Sequence, residues 1–274
     1  MSEALYENHT YSDKSLPIFF HRDKIGDNYT SIFSHWHESL ELLFIYDQPA
    51  FGYLDGEQFE VNAGDILVVN TEIIHNIIAK NEYTCYYCLI ISREFCEQFG
   101  FDIKSTRLDN VIRDEKIFSY IKAIAAEMNE KKPYYSARIM ANVLNILSGL
   151  YGDYVIDTSF VSKDRKSVIM VKRAIDYIGQ NYMKKLNVSE VAEFVGYSKY
   201  HFCREFKMFT GNTVVGHISR LKIEQANKML REGLSITAVA EKCGIDDVSY
   251  FTKLFKKYKG ILPSTAAKRH TPKD

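Results

Sequence analysis

The chain lacks any run approaching the roughly twenty apolar residues that a membrane-crossing helix requires, and Met1 to Lys14 is polar, without the apolar stretch of a secretory signal. These two absences give the expectation of a cytoplasmic protein with no membrane partner. Cysteine is scarce, five in 274 residues, which suits a reduced compartment rather than a disulfide framework. Cys85 and Cys88 form a CxxC, but they stand in TCYYCLII, which reads as a strand. Three positions apart on a strand, the two thiols leave on opposite faces, so they read as packing residues and not as a redox or metal pair. Net charge is also missing, the formal total being zero.

That zero hides a division. Residues 1–164 carry 14 Lys and Arg against 25 Asp and Glu, a net of −11, and residues 165–274 carry 21 against 10, a net of +11. A basic half points to a nucleic-acid partner, because affinity for DNA comes largely from neutralised phosphates. The alternative is a basic half that docks on the acidic one.

The basic half repeats itself. LNVSEVAEFVGYS, from Leu186, returns forty-eight residues later as LSITAVAEKCGID, from Leu234. HFCREFKMFTG and YFTKLFKKYKG follow at an offset of forty-nine, so the second copy has gained one residue in its turn. Each copy reads as a short helix, a turn at Gly196 or Gly244, and a second helix. In the first copy Ser198 is placed to cap that second helix. Phe202, Phe206 and Phe209 make its apolar stripe, and Tyr200, Cys203, Arg204 and Lys207 share the opposite face. In the second copy Phe251, Leu254, Phe255 and Tyr258 turn inward and Ser249, Thr252, Lys253 and Lys256 outward, with Asp246 or Asp247 as the cap. One such half reads equally as a solvated bundle. Two exposed basic helices at fixed separation suit a duplex whose grooves recur about every 34 Å. Thr213 to Leu230 reads as the helix between them, about 27 Å long at roughly 1.5 Å per residue.

From about Ser167 to Pro263 the sequence resembles the DNA-binding domain of the AraC type family of bacterial transcription regulators. The resemblance is carried by Ala226, Leu230, Ile236, Val239, Ala240, Cys243-Gly244, Tyr250-Phe251, Phe255-Lys256-Lys257, Gly260 and Pro263. It implies that the helices Ser198–Phe209 and Asp247–Tyr258 enter successive major grooves of double-stranded DNA. The base-contacting positions it implies are Tyr200, Cys203 and Arg204 in the first and Val248, Ser249, Thr252 and Lys253 in the second. Lys199, Lys207 and Lys256 complete the DNA-binding set. Two departures bear on the packing of the last helix: Ile245 and Asp246 replace the usual Phe-Ser, and Ala266 and Ala267 stand where an aromatic and an arginine are common.

The acidic half reads as strands from Tyr29 to Ile91: SIFSHWH, LELLFIY, AFGYL, EQFEV, DILVV, IIHNIIA and TCYYCLII, after an arm and a first strand in residues 1–28. Asp55-Gly56 is a hairpin signal and Asn62 to Asp65 another turn. The pace suits a small antiparallel barrel. His35, His37 and Glu41 share parity and can point to one face, with His75 completing four candidate ligands for a divalent transition metal. This spacing, with GDILVVNTEIIH from Gly64 to His75, resembles the two motifs of the cupin family, a frequent sensor in AraC type regulators. The alternative is a pocket whose polar groups bind a small effector without metal. Trp36, of opposite parity, is expected outside the barrel under a helix. Tyr53, Tyr86 and Tyr87 are candidates for stacking on a sugar ring, though aromatics on strands are commonly core. Helices are expected over Asn110–Asn129, broken by Pro133, and Tyr134–Leu150, packing on the barrel or forming a dimer surface.

The expected fold is α+β and multidomain. Residues 1–108 form a cupin-like effector-binding barrel, 109–151 a helical pair with a candidate dimerisation role, 152–166 a linker, and 167–274 an all-α domain with two helix-turn-helix modules. The effector set is His35, His37, Glu41, His75 and Tyr53, and the candidate metal set is the first four of these. The function expected is sequence-specific transcription regulation, as an activator working with RNA polymerase, by a homodimer responding to a small, carbohydrate-like effector. The rivals are a metal-dependent cupin enzyme with a helical appendage, and a DNA-binding scaffold whose barrel serves only to dimerise.

Overall fold

The structure, a computed structural model, describes residues 16–26, 34–159 and 166–268. The acidic half supplies strands β1 (Ile18–Gly26), β2 (Leu40–Asp47), β3 (Ala50–Leu54), β4 (Glu57–Val61), β5 (Ile66–Val69), β6 (His75–Ala79) and β7 (Tyr83–Ile91). Then come α1 (Arg93–Gln98), β8 (Arg107–Leu108), β9 (Val111–Ile112), α2 (Glu115–Glu130), α3 (Tyr135–Asp153) and β10 (Val155–Asp157). One sheet has the order β1-β7-β2-β5-β9, a second β4-β3-β6, and β10 pairs with β8. Every pairing between named strands is antiparallel.

The five-stranded sheet is covered on both faces, which explains why LELLFIY reads as an unbroken apolar run rather than an alternating one. Leu42, Phe44, Ile66, Val68, Leu89 and Ile91 pack under α1, α2 and α3. Leu43, Ile45, Leu67, Val69, Cys88 and Ile90 face the three-stranded sheet. The helical pair is therefore part of this core, as intrachain packing would have it. Arg138 closes the pair with two bonds to Glu127, at 2.5 and 2.7 Å.

Four expectations need correction. The described strands form two facing sheets, not a closed barrel, because the ladder stops at the edges of each sheet. SIFSHWH is not a continuous strand: residues 31–33 lie outside the described residues, and His35 makes an isolated bridge to His75. The helix expected from Asn110 starts later, because Val111–Ile112 adds to the edge of β5 and Asp114 then caps α2. The linker begins as structure, with α3 running to Asp153 and β10 held on β8, while residues 160–165 lie outside the described residues.

The basic half contains α4 (Lys166–Asn181), α5 (Val188–Val195), α6 (Lys199–Thr210), α7 (Val214–Arg231), α8 (Ile236–Lys242), α9 (Val248–Lys259) and α10 (Pro263–Lys268). Side-chain caps fix the helix starts: Asn187 with Glu190 in a capping box for α5, Ser198 for α6, Thr213 for α7, Ser235 for α8 and Asp247 for α9. There are two cores. α4, α5 and α6 close around Val171, Ile175, Val191, Phe202 and Phe206, and α8, α9 and α10 around Val239, Phe251 and Phe255. The helix α7 belongs to both, giving Val214, Ile218 and Leu221 to the first and Ile223, Ala226 and Leu230 to the second. Gly244, at φ +63°, is required in the second turn, since a Cβ there would stand 2.5 Å from the Met183 carbonyl oxygen. The departures at the end of the chain are absorbed. Ile245 and Ala266 are buried in the second core, and Asp246 pairs with Lys185.

The two halves meet at the first module. Ile74 is buried in the core of that module and Trp36 packs against it, with Lys172 of α4 lying 4.3 Å from the centre of the indole ring. This places Trp36 under a helix, as its parity predicts. The carbonyl of Thr210, last residue of α6, accepts from Ser34 Oγ at 2.7 Å and Asn76 Nδ2 at 2.9 Å. Gly56, at the tip of the β3–β4 hairpin, sits against the backbone of Met208 and Phe209, where a Cβ would already be 3.0 Å from the Met208 oxygen.

Candidate nucleic-acid interface and metal-ligating cluster

The basic faces of α6 and α9 are largely exposed. Lys199, Tyr200, Arg204 and Lys207 are exposed and Cys203 is half-buried. Val248, Ser249, Lys253 and Lys256 are exposed, and Thr252 is half-buried with its hydroxyl on the Val248 carbonyl at 2.8 Å. Tyr200 is 80% exposed although it is one of the largest side chains on its helix. Lys199 at the start of α6 and Asp247 and Tyr250 at the start of α9 line one groove of about 930 Å³, floored by Val215, Ile218 and Leu254. The N-terminal ends of the two helices therefore border one groove. Arg204 lies against the carboxylate of Glu205 at 2.9 Å, which holds that carboxyl below its ordinary range. Glu205 went unnoticed in the sequence, where it is simply the acidic neighbour of a reading arginine.

The N-terminal domain gathers His35, His37, Glu41 and His75, all buried, with one ligand atom from each lying within 4.8 Å of the others. Glu41 is the second residue of β2, His75 opens β6, and the two histidines of residues 35–37 are drawn in by the bridge to His75. Glu41 Oε2 lies 3.0 Å from His37 Nε2 and 2.7 Å from His75 Nε2. The ring of His35 stacks 4.1 Å from that of His75, centre to centre. Each of the other ring nitrogens has a backbone partner, His37 Nδ1 at 3.1 Å from the Ser39 oxygen and His75 Nδ1 at 2.8 Å from the Ile73 oxygen. A carbonyl only accepts, so each of those bonds places a hydrogen on Nδ1, and Nε2 of both rings faces the carboxylate.

Burial opposes ionisation of Glu41, but the nearby His75 and His37 outweigh it and hold the carboxyl well below its ordinary range. Burial, with His35 alongside, pushes His75 down to about 4 against the pull of Glu41. Where His75 is neutral its Nε2 lone pair faces Glu41 Oε2, an arrangement relieved by a proton on the imidazole or by a cation held between the two. Imidazole Nδ1 donating to backbone is also the usual support of a metal-bound histidine.

Cys88 was read as packing, and the structure gives it a further contact: its thiol donates to Glu41 Oε1 at 3.1 Å. The opposite-face reading of the CxxC holds, since Cys88 lies in the core between the sheets whereas Cys85 stands apart from it. Tyr53 does not join the four. It alternates with Gly52 and Leu54 on β3, lies half-exposed, and bonds Gln58 at 2.9 Å. Tyr87 also lies on an outer face, stacked on Phe20, while Tyr86 is buried between the sheets.

A strand domain with a buried polar cluster, followed by paired helix-turn-helix modules with exposed basic faces, defines a two-domain DNA-binding regulator. Residues 20–147 match the AraC-like ligand binding domain and residues 191–269 match a helix-turn-helix domain. The chain belongs to the AraC type family of transcription regulators. It is 22% identical over 275 residues to the HTH-type transcriptional regulator YdeC of Bacillus subtilis, covering 93% of each chain. It is 35% identical over 94 residues to the MmsAB operon regulatory protein of Pseudomonas aeruginosa, covering 34% of this chain and 31% of that one. Among solved structures, ToxT of Vibrio cholerae aligns over 94% of this chain and 99% of its own, at 14% identity and a TM-score of 0.49. The Bacillus subtilis and Pseudomonas aeruginosa relatives are regulators, and the enzyme reading is set aside. Among the described residues no helix is long and apolar enough to cross a membrane.

Proposed function

We propose that the protein is a cytoplasmic, sequence-specific regulator that lays α6 and α9 into successive major grooves of double-stranded DNA under control of a small effector held at His35, His37, Glu41 and His75. The observation that carries this reading is the common groove shared by the N-termini of two exposed, basic helices. The helix between them spans 18 residues, about 27 Å at roughly 1.5 Å per residue, close to one groove repeat. Base reading falls to Tyr200, Cys203 and Arg204 and to Val248, Ser249, Thr252 and Lys253, and phosphate contact to Lys199, Lys207 and Lys256. Regulation through RNA polymerase by a homodimer completes the reading, and in vitro transcription with and without the protein decides between activation and repression.

The test begins with genomic footprinting of the purified full chain, and continues with titration of a recovered fragment and of random DNA. Arg204→Ala and Lys253→Ala are each expected to weaken the recovered site by about 1–3 kcal/mol and random DNA by less. Equal losses on both would leave only phosphate contacts and remove the base-reading role.

A carbohydrate effector needs an aromatic platform, and Tyr53 and Tyr87 stand on outer faces. The four-residue cluster fits a divalent transition metal better. Three imidazoles and one carboxylate are a suitable donor set, and the Nδ1 bonds to backbone leave the Nε2 atoms of His37 and His75 directed at Glu41. Bound there, the ion would supply positive charge beside the buried Glu41 carboxylate. His35, His37, Glu41 and His75 would hold it, with the Cys88 thiol steadying the second oxygen of Glu41.

A further inference from the structure

We propose that the bridged segments carrying His35 and His75 couple the four-residue cluster to the first reading helix, so that loading the cluster with a divalent metal ion fixes the position of α6. The proposal rests on the effector reading above and names how that site is heard by the DNA-binding domain.

The two segments are joined by an isolated antiparallel bridge, His35 N–H donating to His75 O at 3.1 Å and His75 N–H to His35 O at 2.9 Å. Successive side chains on a strand leave on opposite faces of one backbone. Inward go His35, His37 and His75, the candidate ligands. Outward go Ser34, Trp36, Ile74 and Asn76, which together make the contact with the first module. Ser34 Oγ and Asn76 Nδ2 both donate to Thr210 O, and Asn76 Nδ2 lies 2.8 Å from Ser34 Oγ as well. Trp36 and Ile74 enter the packing of α4, α5 and α6. Each of these four residues is thus the chain neighbour of a candidate ligand.

The His75 ring is not free to absorb a pull by swivelling. Its Nδ1 is held on Ile73 O at 2.8 Å, so a displacement of Nε2 is passed to the backbone of residues 73–75. At the receiving end, Thr210 O is one of the last carbonyls of α6, which have no donor within their own helix. It takes its donors from Ser34, Asn76 and the nearby Asn212. Two of the three belong to the N-terminal domain. Arg204 and Lys207 lie within the last two turns of the helix that ends there. A change in the seam therefore moves the reading face with respect to α9, and a duplex that requires both helices at once is sensitive to that.

The test uses the full chain stripped of metal with a chelator, then titrated with zinc(II) and separately with manganese(II). Binding is followed by calorimetry, amide exchange by mass spectrometry, and DNA affinity on a footprinted fragment. Metal is expected to slow exchange around residues 207–213 and to change DNA affinity by roughly 5–150-fold, the usual span for coupled sites. Coupling of this kind is reciprocal, so DNA should change the metal affinity by the same factor. The paired variant Ser34→Ala, Asn76→Ala keeps all four ligands. It is expected to bind metal as before and to lose both the exchange effect and the affinity change. Metal binding with unchanged exchange at α6 and unchanged DNA affinity in the wild-type chain would overturn this coupling and leave the metal reading standing. Survival of both effects in the paired variant would also overturn it. A wild-type chain that binds neither ion overturns the metal reading and this proposal with it.

Discussion

The two helix-turn-helix modules are copies that solve the same end problem differently. Both α6 and α9 stop at a glycine with positive φ, Gly211 at +67° and Gly260 at +68°, and the last carbonyls of each have no donor within their own helix. The last turn of α9 answers with cations, Lys256, Lys257 and Lys259, which suit the negative end of a helix, and Lys259 reaches Glu224 on α7. The last turn of α6 has Lys207 alone and takes its donors from the N-terminal domain. Thr210 and Lys259 occupy the same place in the repeat. The two modules thus differ at this helix end, that of α6 being capped from the acidic half and that of α9 from within its own domain.

The sharpest way to break this comparison is to hollow each core in turn. Phe206 and Phe255 are fully buried equivalents, and Phe206→Ala and Phe255→Ala are each expected to cost about 3–5 kcal/mol in urea denaturation. Only the first should also raise amide exchange at residues 34–37 and 74–76. Equal exchange there in both variants would mean that the modules are not differently attached.

A smaller effect is set by pH. His217 of α7 is buried edge-on to Phe206, and burial, with Arg220 nearby, pushes it down to about 3. An unfolded histidine titrates near 6.5, so the folded chain resists a proton that the unfolded chain accepts. Its contribution is therefore present above about pH 6.5 and lost as pH falls from there toward 3. Between pH 7 and 5 this amounts to about 2 kcal/mol, visible as a steeper fall in melting temperature for wild type than for His217→Gln. Parallel curves for the two proteins would remove His217 as the cause. Among the described residues the second core holds no buried imidazole, so the acid-sensitive joint belongs to the first.

The smallest effect separates the two helix ends directly. Asn76→Ala removes a buried bond to Thr210 and Lys259→Met removes a partly exposed ion pair; about 1–2 kcal/mol is expected for the first and under about 1 kcal/mol for the second. Raising salt should shrink the second and leave the first. If salt acts alike on both, the contrast between donor-capped and cation-capped ends fails.

Much of this was legible in the residues. The repeat located both modules, the phenylalanine stripes gave the buried faces, and parity put His35, His37 and Glu41 together and Trp36 opposite them. What was not legible depended on tertiary partners. Ser34 and Asn76 look like ordinary polar neighbours of histidines, and their acceptor lies 176 and 134 residues away. Tyr53 was misplaced because either face of a half-buried strand is a reasonable home for a tyrosine. Val111–Ile112 was absorbed into a helix because two residues are too short a run for period to distinguish. Closure of the sheets into a barrel is a property of strand edges, and side-chain alternation carries no information about edges.

The chain has one tryptophan, and it lies where the halves join, its indole beneath the Lys172 ammonium and against α4. Its ultraviolet emission is therefore a native optical gauge of that joint: parting the halves would bring water to the ring and redden the light. No dye or added label is needed to watch the two halves come apart.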